Sequence, residues 1–428
     1  MGKILNSGYG AIFGTYWIIY AVVSSFASVF MLAKGYTNSQ IGITLAAANV
    51  LAVVMQPLIA DFVDRSKRLD VIGTTTIMTV CMMVFTVGMF TFRGGSLGLC
   101  VVFVLLIAFH TVLQPLFNSL AFRLEEAGVS INFGIARSVG SLAYSIFVAV
   151  FGTIVEHLGI NVMPAASEIS CLLLIASLAF TGYYFRKGTA AREAAVTVGA
   201  SRMTGDADGK ADGEAGVSDN GGADAADGNK DINEDINLVQ FIRRNKMFFI
   251  MNLGVLGIFF SNAVLNNYMA QIVTGVGGTT EDMGRILGVM AFLEIPTMVF
   301  FKQLRNRFSC QFLLKVAAIG FTMKIAICWI ANSVALLYVG QFFQPVSFAL
   351  FLPGMVYFSD EMMSRGEAVK GQALFTTMIT ITTIFATLLG GVILDSSGPK
   401  MLTFVSTLLT AAGALVIILA ADKVKSNK

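Results

Sequence analysis

The sequence predicts an all-α membrane protein in which twelve transmembrane helices form two six-helix halves. Of the 428 residues, 56% are apolar and only 13% are charged, whereas globular proteins carry about 25% charged residues. The mean hydropathy is +0.75, and apolar runs of about 18 residues or more, long enough to cross a bilayer, recur along the chain. The predicted spans are 12–33, 40–62, 71–92, 97–121, 133–156, 165–185, 247–270, 283–303, 312–331, 335–358, 372–394 and 401–421.

A polar segment divides these spans into two sets of six. Residues 187–240 are rich in Gly, Ala and Asp and contain 11 acidic and five basic residues. Such a composition cannot bury a core, so we expect a disordered linker between an N-terminal half, 1–186, and a C-terminal half, 241–428. Short basic turns follow the second span (57–68) and the eighth (299–309). Their equivalent positions indicate that the halves are repeats.

The distribution of Lys and Arg predicts the orientation in the membrane. Basic residues concentrate in the loops after even-numbered spans, as in "DRSKR" (64–68) and "KQLRNR" (302–307), and in the C-terminal tail. Loops rich in Lys and Arg remain in the cytoplasm. We therefore expect a multi-pass protein of the cytoplasmic membrane with both termini and the linker in the cytoplasm. The basic residues are then explained by the orientation of the protein in the membrane. The net charge of +3 therefore gives no reason to expect a nucleic-acid partner.

Several classes of chemistry lack their motifs. The five cysteines show no CxxC spacing, the two histidines form no HExxH, and neither a Walker loop nor a GxGxxG is present. We therefore expect no metal site, no cofactor and no enzymatic activity. The missing Walker loop and GxGxxG also give no indication of an ATP-driven pump or a dinucleotide enzyme.

Four segments resemble the major facilitator superfamily: the first two are similar to its oligosaccharide:proton symporter group, which includes lactose permease, and the last two to related symporters. The similar segments are 35–68, "NSLAFRLEEAGVSINFGIARSVGSLAYS" (118–145), "EIPTMVFFKQLRNRFS" (294–309) and "GQALF" (371–375). Nucleoside:proton symporters share much of this pattern. The resemblance implies the major facilitator fold and secondary active transport of a small polar, uncharged solute by a protein that functions as a monomer, with membrane lipids around it.

Arg137 is the first candidate for substrate binding. Ser141, Tyr144 and Ser145 follow it at i+4, i+7 and i+8, so a polar stripe runs along one face of the fifth span. An arginine inside a membrane helix indicates a functional site. The resemblance implies that Arg137 binds sugar hydroxyls and that Tyr144 stacks on the sugar ring. The alternative is that Arg137 extends toward the cytoplasm from the end of the helix.

The fourth span departs from the family pattern. The resemblance implies a sugar-binding glutamate there, whereas this sequence has Asn118, Ser119 and Leu120 in that region. Asn118 can hydrogen-bond a hydroxyl without the added strength of a charge.

Glu294 and Lys324 are the candidates for proton coupling. Glu294 is the only acidic residue deep in a second-half span, and Lys324 lies within the next span. A carboxylate removed from water is easier to protonate. We expect the two to pair, and a proton arriving at Glu294 to break that pair. The alternative is a static ion pair that only fixes helix packing.

Amides replace other charged residues of the family pattern. Gln341 and Gln344 lie on the tenth span, and Asn262 and Asn266 on the seventh. Asn and Gln side chains suit hydroxyl-rich solutes and nucleobases alike, so we expect these four to bind substrate. Each could instead join neighbouring helices by a hydrogen bond.

Asp64 and Arg65 match the signature turn of the superfamily after the second span. The resemblance implies that this aspartate pairs with a neighbouring helix and gates the cytoplasmic side.

The combined expectation is proton-coupled uptake of a sugar or oligosaccharide by alternating access, with a proton as the coupling ion. One alternative is a nucleoside:proton symporter, and another is a drug or metabolite exporter with the same fold.

Overall fold

The computed structural model describes residues 2–66, 70–126, 129–131, 133–205 and 238–424, and this part of the chain is α-helical without β-strands. Apolar runs of helical length leave the backbone no other way to satisfy its hydrogen bonds in a membrane. The helices are α1 Gly2–Tyr20, α2 Ala27–Ala33, α3 Asn38–Arg65, α4 Val71–Thr91, α5 Leu97–Glu126, α6 Phe133–Leu158, α7 Met163–Gly205, α8 Leu238–Arg244, α9 Lys246–Asn267, α10 Met269–Thr274, α11 Thr280–Arg307, α12 Cys310–Ile330, α13 Val334–Gln341, α14 Phe348–Met362 and α15 Arg365–Ala420.

These helices supply twelve membrane spans, which confirms the predicted all-α membrane fold. A π-helical turn at Ala21–Ser25 joins α1 and α2 into the first span. The tenth span is broken between α13 and α14. α15 contains two spans, because Gly398 has a φ of 77° and turns the chain between them. Ten of the described helical stretches are long and apolar enough to cross a bilayer, with α15 included as one stretch.

The predicted linker overlaps a helix at its start. α7 continues to Gly205, so residues 187–205 are helical, although they were expected to be disordered. The last residues of the predicted linker, from Leu238, belong to α8. Residues 206–237 lie outside the described residues, so the expected disorder of that stretch stays a prediction.

The two ends of the helical bundle differ in charge. Arg65, Arg123, Arg186 and Arg307 lie at one end, which we call the basic end. At the opposite end, Thr37 and Thr279 begin the second and eighth spans. Both form a capping box, with Gln40 and Asp282 respectively. Equivalent spans of the two halves thus begin with the same local structure, as expected for repeats.

The halves pack closely at the end opposite the basic end, which we call the closed end. There α6 lies against α11, and α3 lies against α15. Two glycines permit this approach: a Cβ on Gly42 would lie 2.3 Å from the carbonyl oxygen of Thr387, and one on Gly284 would lie 2.6 Å from that of Val148. Ser145 adds a hydrogen bond across the halves, from its Oγ to the Gly288 carbonyl at 2.7 Å.

Toward the basic end, α6 and α11 diverge. An apolar groove of about 1070 Å³ opens between α6, α11 and α14. Leu142, Phe292 and Val356 are among its exposed apolar side chains. The structure is therefore closed at one end of the bundle and separated at the other.

Candidate functional site

A polar cavity of about 220 Å³ lies between the two halves, on the closed-end side of the groove. Side chains from α1 and α6 form its first wall, and side chains from α9, α11, α14 and α15, together with the break in the tenth span, form the second. The lining residues are Trp17, Tyr20, Arg137, Ser141, Tyr144, Asn262, Ala263, Asn266, Asn267, Met290, Ala291, Glu294, Gln344, Phe348 and Thr383.

Two helix irregularities occur at the level of this cavity. The π-helical turn follows Tyr20 directly. In the tenth span, residues 342–347 form turns rather than helix, and Pro345 within them has no backbone N–H to donate. Gln344 therefore projects from a non-helical segment at membrane depth. Such backbone is tolerated where it is buried in protein or lines a cavity.

Arg137 lies in the cavity wall, as the polar stripe predicted. Its guanidinium has no hydrogen bond or ion pair to another described residue. Ser141, one turn further along α6, lines the cavity beside it. The Arg137 guanidinium interacts electrostatically with Glu294, but its five N–H donors remain available to a solute.

Tyr144 also reaches the cavity but exposes little surface. It is only 5% exposed, and its hydroxyl lies 3.0 Å from the Ser25 Oγ. Trp17 and Tyr20 pack against its ring with centroid distances of 6.1 and 5.8 Å. The aromatic surface of the cavity is therefore formed mainly by Trp17 and Tyr20, with Tyr144 behind them.

Glu294 and Lys324 are joined through a third residue instead of forming the expected direct pair. The Lys324 ammonium donates to Gln344 Oε1, and Gln344 Nε2 donates to Glu294 Oε1. Lys324 is 2% exposed, and Met290 Sδ lies 3.4 Å from its Nζ. The carboxamide of Gln344 can accept from one neighbour and donate to the other, so it transmits the interaction between the two charges.

The asparagines of α9 face the cavity with their oxygen atoms available. Asn266 Nδ2 donates to the Asn262 carbonyl, and Asn267 Nδ2 donates to the Ala263 carbonyl, both at 2.8 Å. One N–H of each amide is thereby used within α9, and this fixes which side-chain atom is the oxygen. Asn262 and Asn266 were expected at the site, and Asn267 joins them.

Two predicted binding residues lie elsewhere. Gln341 is fully buried and donates to the Leu337 carbonyl at 3.1 Å, which directs it away from the cavity. Asn118 does not line the cavity because it lies closer to the basic end. His110 of α5 stacks on Tyr16 near cavity level, and Asn118 follows eight residues later, about 12 Å closer to the basic end.

At the basic end, Asp64 interacts with a neighbouring helix, as the resemblance implied. Its Oδ1 lies 3.3 Å from the guanidinium of Arg123 on α5. Arg65 instead pairs with Asp61 on its own helix at 2.7 Å. The Asp64–Arg123 pair joins helices of the same half, and its gating role stays a prediction.

Trp17 is the main cavity residue that sequence reasoning missed. Its indole packs against Gly140 of α6, where an added Cβ would lie 2.4 Å from the ring. The i, i+3 spacing of Trp17 and Tyr20 places two aromatics on one face of the first span. That spacing is equally compatible with core packing, so the pattern alone could not identify the cavity wall.

Comparison with known proteins agrees with this architecture. The structure resembles that of the nucleoside transporter NupG with a TM-score of 0.68 at 13% identity, covering 98% of this chain and 100% of that one. It resembles a D-xylose–proton symporter with a TM-score of 0.62 at 14% identity, covering 96% and 95% of the two chains. At these identities the likeness shows the fold alone.

A shorter sequence match involves a putative sugar efflux transporter of Deinococcus radiodurans, which is 27% identical over 117 residues. The match covers 27% of this chain and 28% of that protein. The model of the MFS_1 like family matches residues 9–405, nearly the whole chain. This chain is therefore a multi-pass membrane transporter that belongs to the MFS_1 like family.

Proposed function

We propose that this protein is a secondary active transporter that takes up a small hydroxyl-rich solute of the sugar class together with a proton. The observation that carries the proposal is that Arg137 and Glu294 line one cavity from opposite halves. A solute that contacts both side chains would join the two halves. Its binding energy would then depend on how they are arranged, which is the requirement for alternating access.

The proposed orientation places the basic end in the cytoplasm. The described conformation is then closed toward the outside and separated toward the cytoplasm. Both termini would be cytoplasmic, and one chain contains the complete cavity, so a monomer would suffice. We place the protein in the cytoplasmic membrane.

Glu294 is the proposed proton carrier. A protonated Glu294 would no longer present a charged acceptor to Gln344, and Gln344 would then interact mainly with Lys324. Loss of the negative charge would also leave Arg137 and Lys324 without a counter-charge in the cavity. Protonation would thus change the attraction between the walls, as a coupling step requires.

Two alternatives are supported by particular findings. The partial match to a putative sugar efflux transporter favours the opposite direction of transport for the same class of solute. The cavity amides suit nucleobases as well as sugars, which favours a nucleoside as the solute. Both alternatives use the same cavity. The first differs in the direction of transport and the second in the solute.

Uptake into proteoliposomes under an imposed pH gradient tests the proposal. Labelled neutral sugars, acidic sugars and nucleosides would be supplied while the external pH is recorded. Alkalinisation with a sugar supports the proposal, and alkalinisation with a nucleoside supports that alternative. No uptake of either by folded protein contradicts both and would direct the next assay to efflux.

Two variants assign the roles within the cavity. We expect Arg137→Ala to abolish substrate binding and Glu294→Gln to permit exchange without accumulation. Arg93→Ala and Glu126→Gln alter exposed residues outside the cavity and should behave as the unmodified protein. Unchanged affinity in the first variant, or gradient-driven accumulation in the second, would contradict the assigned role.

A further inference from the structure

We infer that the transported solute is a monoanion, a hydroxylated carboxylate such as a sugar acid. The inference rests on the proposed function and specifies the substrate class for the same cavity. It revises the expectation of an uncharged solute.

The charges at the cavity do not balance. Among the described lining residues, Glu294 is the only acid and Arg137 the only base. Lys324 lies directly behind the wall and is connected to Glu294 through Gln344. Two cations therefore share one carboxylate. The nearby imidazole of His110 lies stacked on Tyr16, with its Nε2 at 3.1 Å from the Tyr16 carbonyl, and supplies no negative charge.

Hydrogen bonding shows which of the two cations is less well compensated. The chain Lys324–Gln344–Glu294 is internally complete and has no net charge when both ends are ionised. Arg137 stands outside this chain: it interacts electrostatically with Glu294 but forms no hydrogen bond with it or with another described residue. An arginine at membrane depth is costly, and Arg137 shares its one counter-charge with Lys324, so a ligand that supplies a second negative charge would bind favourably.

The arrangement of donors and acceptors gives such a ligand an orientation. Arg137, on α6, offers only donors. Across the cavity, Asn266 and Asn267 each use one amide N–H within α9, and their side-chain oxygens remain free to accept. A carboxylate would face Arg137, and hydroxyl groups at the other end of the solute would donate to the asparagine oxygens. A charge-assisted, bidentate contact is the geometry in which guanidinium binds carboxylate best.

The magnitude of the excess charge favours a carboxylate over a phosphate. Two cations and one carboxylate leave an excess of one positive charge, which one negative charge on the solute would balance. A phosphate monoester carries about −1.5 to −2 charges at neutral pH, and this would leave a negative excess in a cavity that already contains Glu294.

Binding to the purified full-length protein tests the inference with three ligands of nearly equal size: galactose, galacturonate and the methyl ester of galacturonate. We expect galacturonate to bind at least ten-fold more tightly than either neutral compound at pH 7. Equal or tighter binding of galactose would overturn the inference while leaving sugar transport intact. Failure of all three ligands and of nucleosides to bind would contradict both this inference and the proposed function.

Lys324→Met provides a test that does not alter a lining residue. Removal of this cation frees Glu294 to compensate Arg137, so the ten-fold preference for galacturonate should fall to near one. A structural defect would weaken all three ligands alike and keep the ratio. Arg137→Lys, which retains the charge, should keep a preference that Arg137→Gln loses. A ratio unchanged in both Lys324→Met and Arg137→Gln would overturn the inference.

Discussion

Asp395 near the end of the eleventh span caps the start of the second span, across the boundary between the halves. Its Oδ2 accepts a hydrogen bond from the backbone N–H of Ser39 at 2.7 Å, and its Oδ1 accepts from that of Asn38 at 2.9 Å. The other boundary has the equivalent contact, in which Glu156 of the fifth span accepts from the Thr280 N–H of the eighth at 2.9 Å. A carboxylate at a helix N-terminus is favourable, so the closed end is held by two such contacts.

Replacement of Asp395 by asparagine should open the closed end. The variant loses the charge and one acceptor, and hydrogen bonds to charged groups contribute about 1.5–3 kcal/mol. We expect the ratio of molecules with the closed end open to those with it shut to rise at least ten-fold. Spin labels at the exposed positions Leu97 and Ser333, one in each half, would report the change in distance.

Asp422→Asn is the matched control for that experiment. Asp422 pairs with Lys315 within the second half, away from the closed end. The label distance should stay unchanged in this variant. A similar shift in both variants would show that the closed end responds to general destabilisation.

Combining Asp395→Asn with Glu156→Gln should produce an additive effect. The two contacts join different helix pairs and share no partner, and changes at independent sites usually add within about 0.5 kcal/mol. The free-energy shifts from the same label distances should therefore sum. A double variant no more open than Asp395→Asn alone would show that Glu156 contributes nothing to closure.

Gly42→Ala should prevent close packing at the closed end. The added Cβ would lie 2.3 Å from the backbone oxygen of Thr387, which cannot move without displacing α15. We expect transport to fall at least ten-fold while the protein still reaches the membrane. Gly182→Ala places its Cβ at an ordinary 3.5 Å from Ile72 and should transport normally. Normal uptake by Gly42→Ala would mean that the two helices need not touch during the cycle.

Gly140→Ala tests the role of Trp17 without removing it. The new methyl group would lie 2.4 Å from the indole ring and push it into the cavity. We expect substrate affinity to fall about ten-fold, with little change in thermal stability, because the cavity can accept the displaced ring. Binding isotherms for Gly140→Ala and Trp17→Ala should both be weakened. Unchanged affinity in both would limit Trp17 to packing.

Gln344→Leu and Gln341→Leu should differ in phenotype, although the residues are three positions apart. Leucine at 344 separates Lys324 from Glu294 and leaves both without their amide partner, so we expect loss of proton-coupled accumulation. Leucine at 341 removes a bond made within α13, and accumulation should persist. Proton-coupled uptake in the two variants checks this directly, and equal loss in both would restore Gln341 as a functional residue.

Local properties of the chain made much of the fold predictable. Hydropathy over about 20 residues identifies a membrane span without reference to any other span, so the spans could be located one by one. Helical periodicity placed Arg137 and Ser141 on one face, and both line the cavity. Glu294 could be identified as a candidate because it is an acidic residue within an apolar run, and it also lines the cavity.

The relationships between spans required the tertiary structure. Gln341 and Gln344 belong to one apolar run, and the sequence does not show that the helix breaks between them. Nor does it show that Gln344 connects Lys324 to Glu294. Asp395 and Asn38 are 357 positions apart. The physical reason is that hydropathy depends on a span's own residues, whereas contacts between spans depend on helix register, which is set by close packing such as that at Gly42 and Gly284.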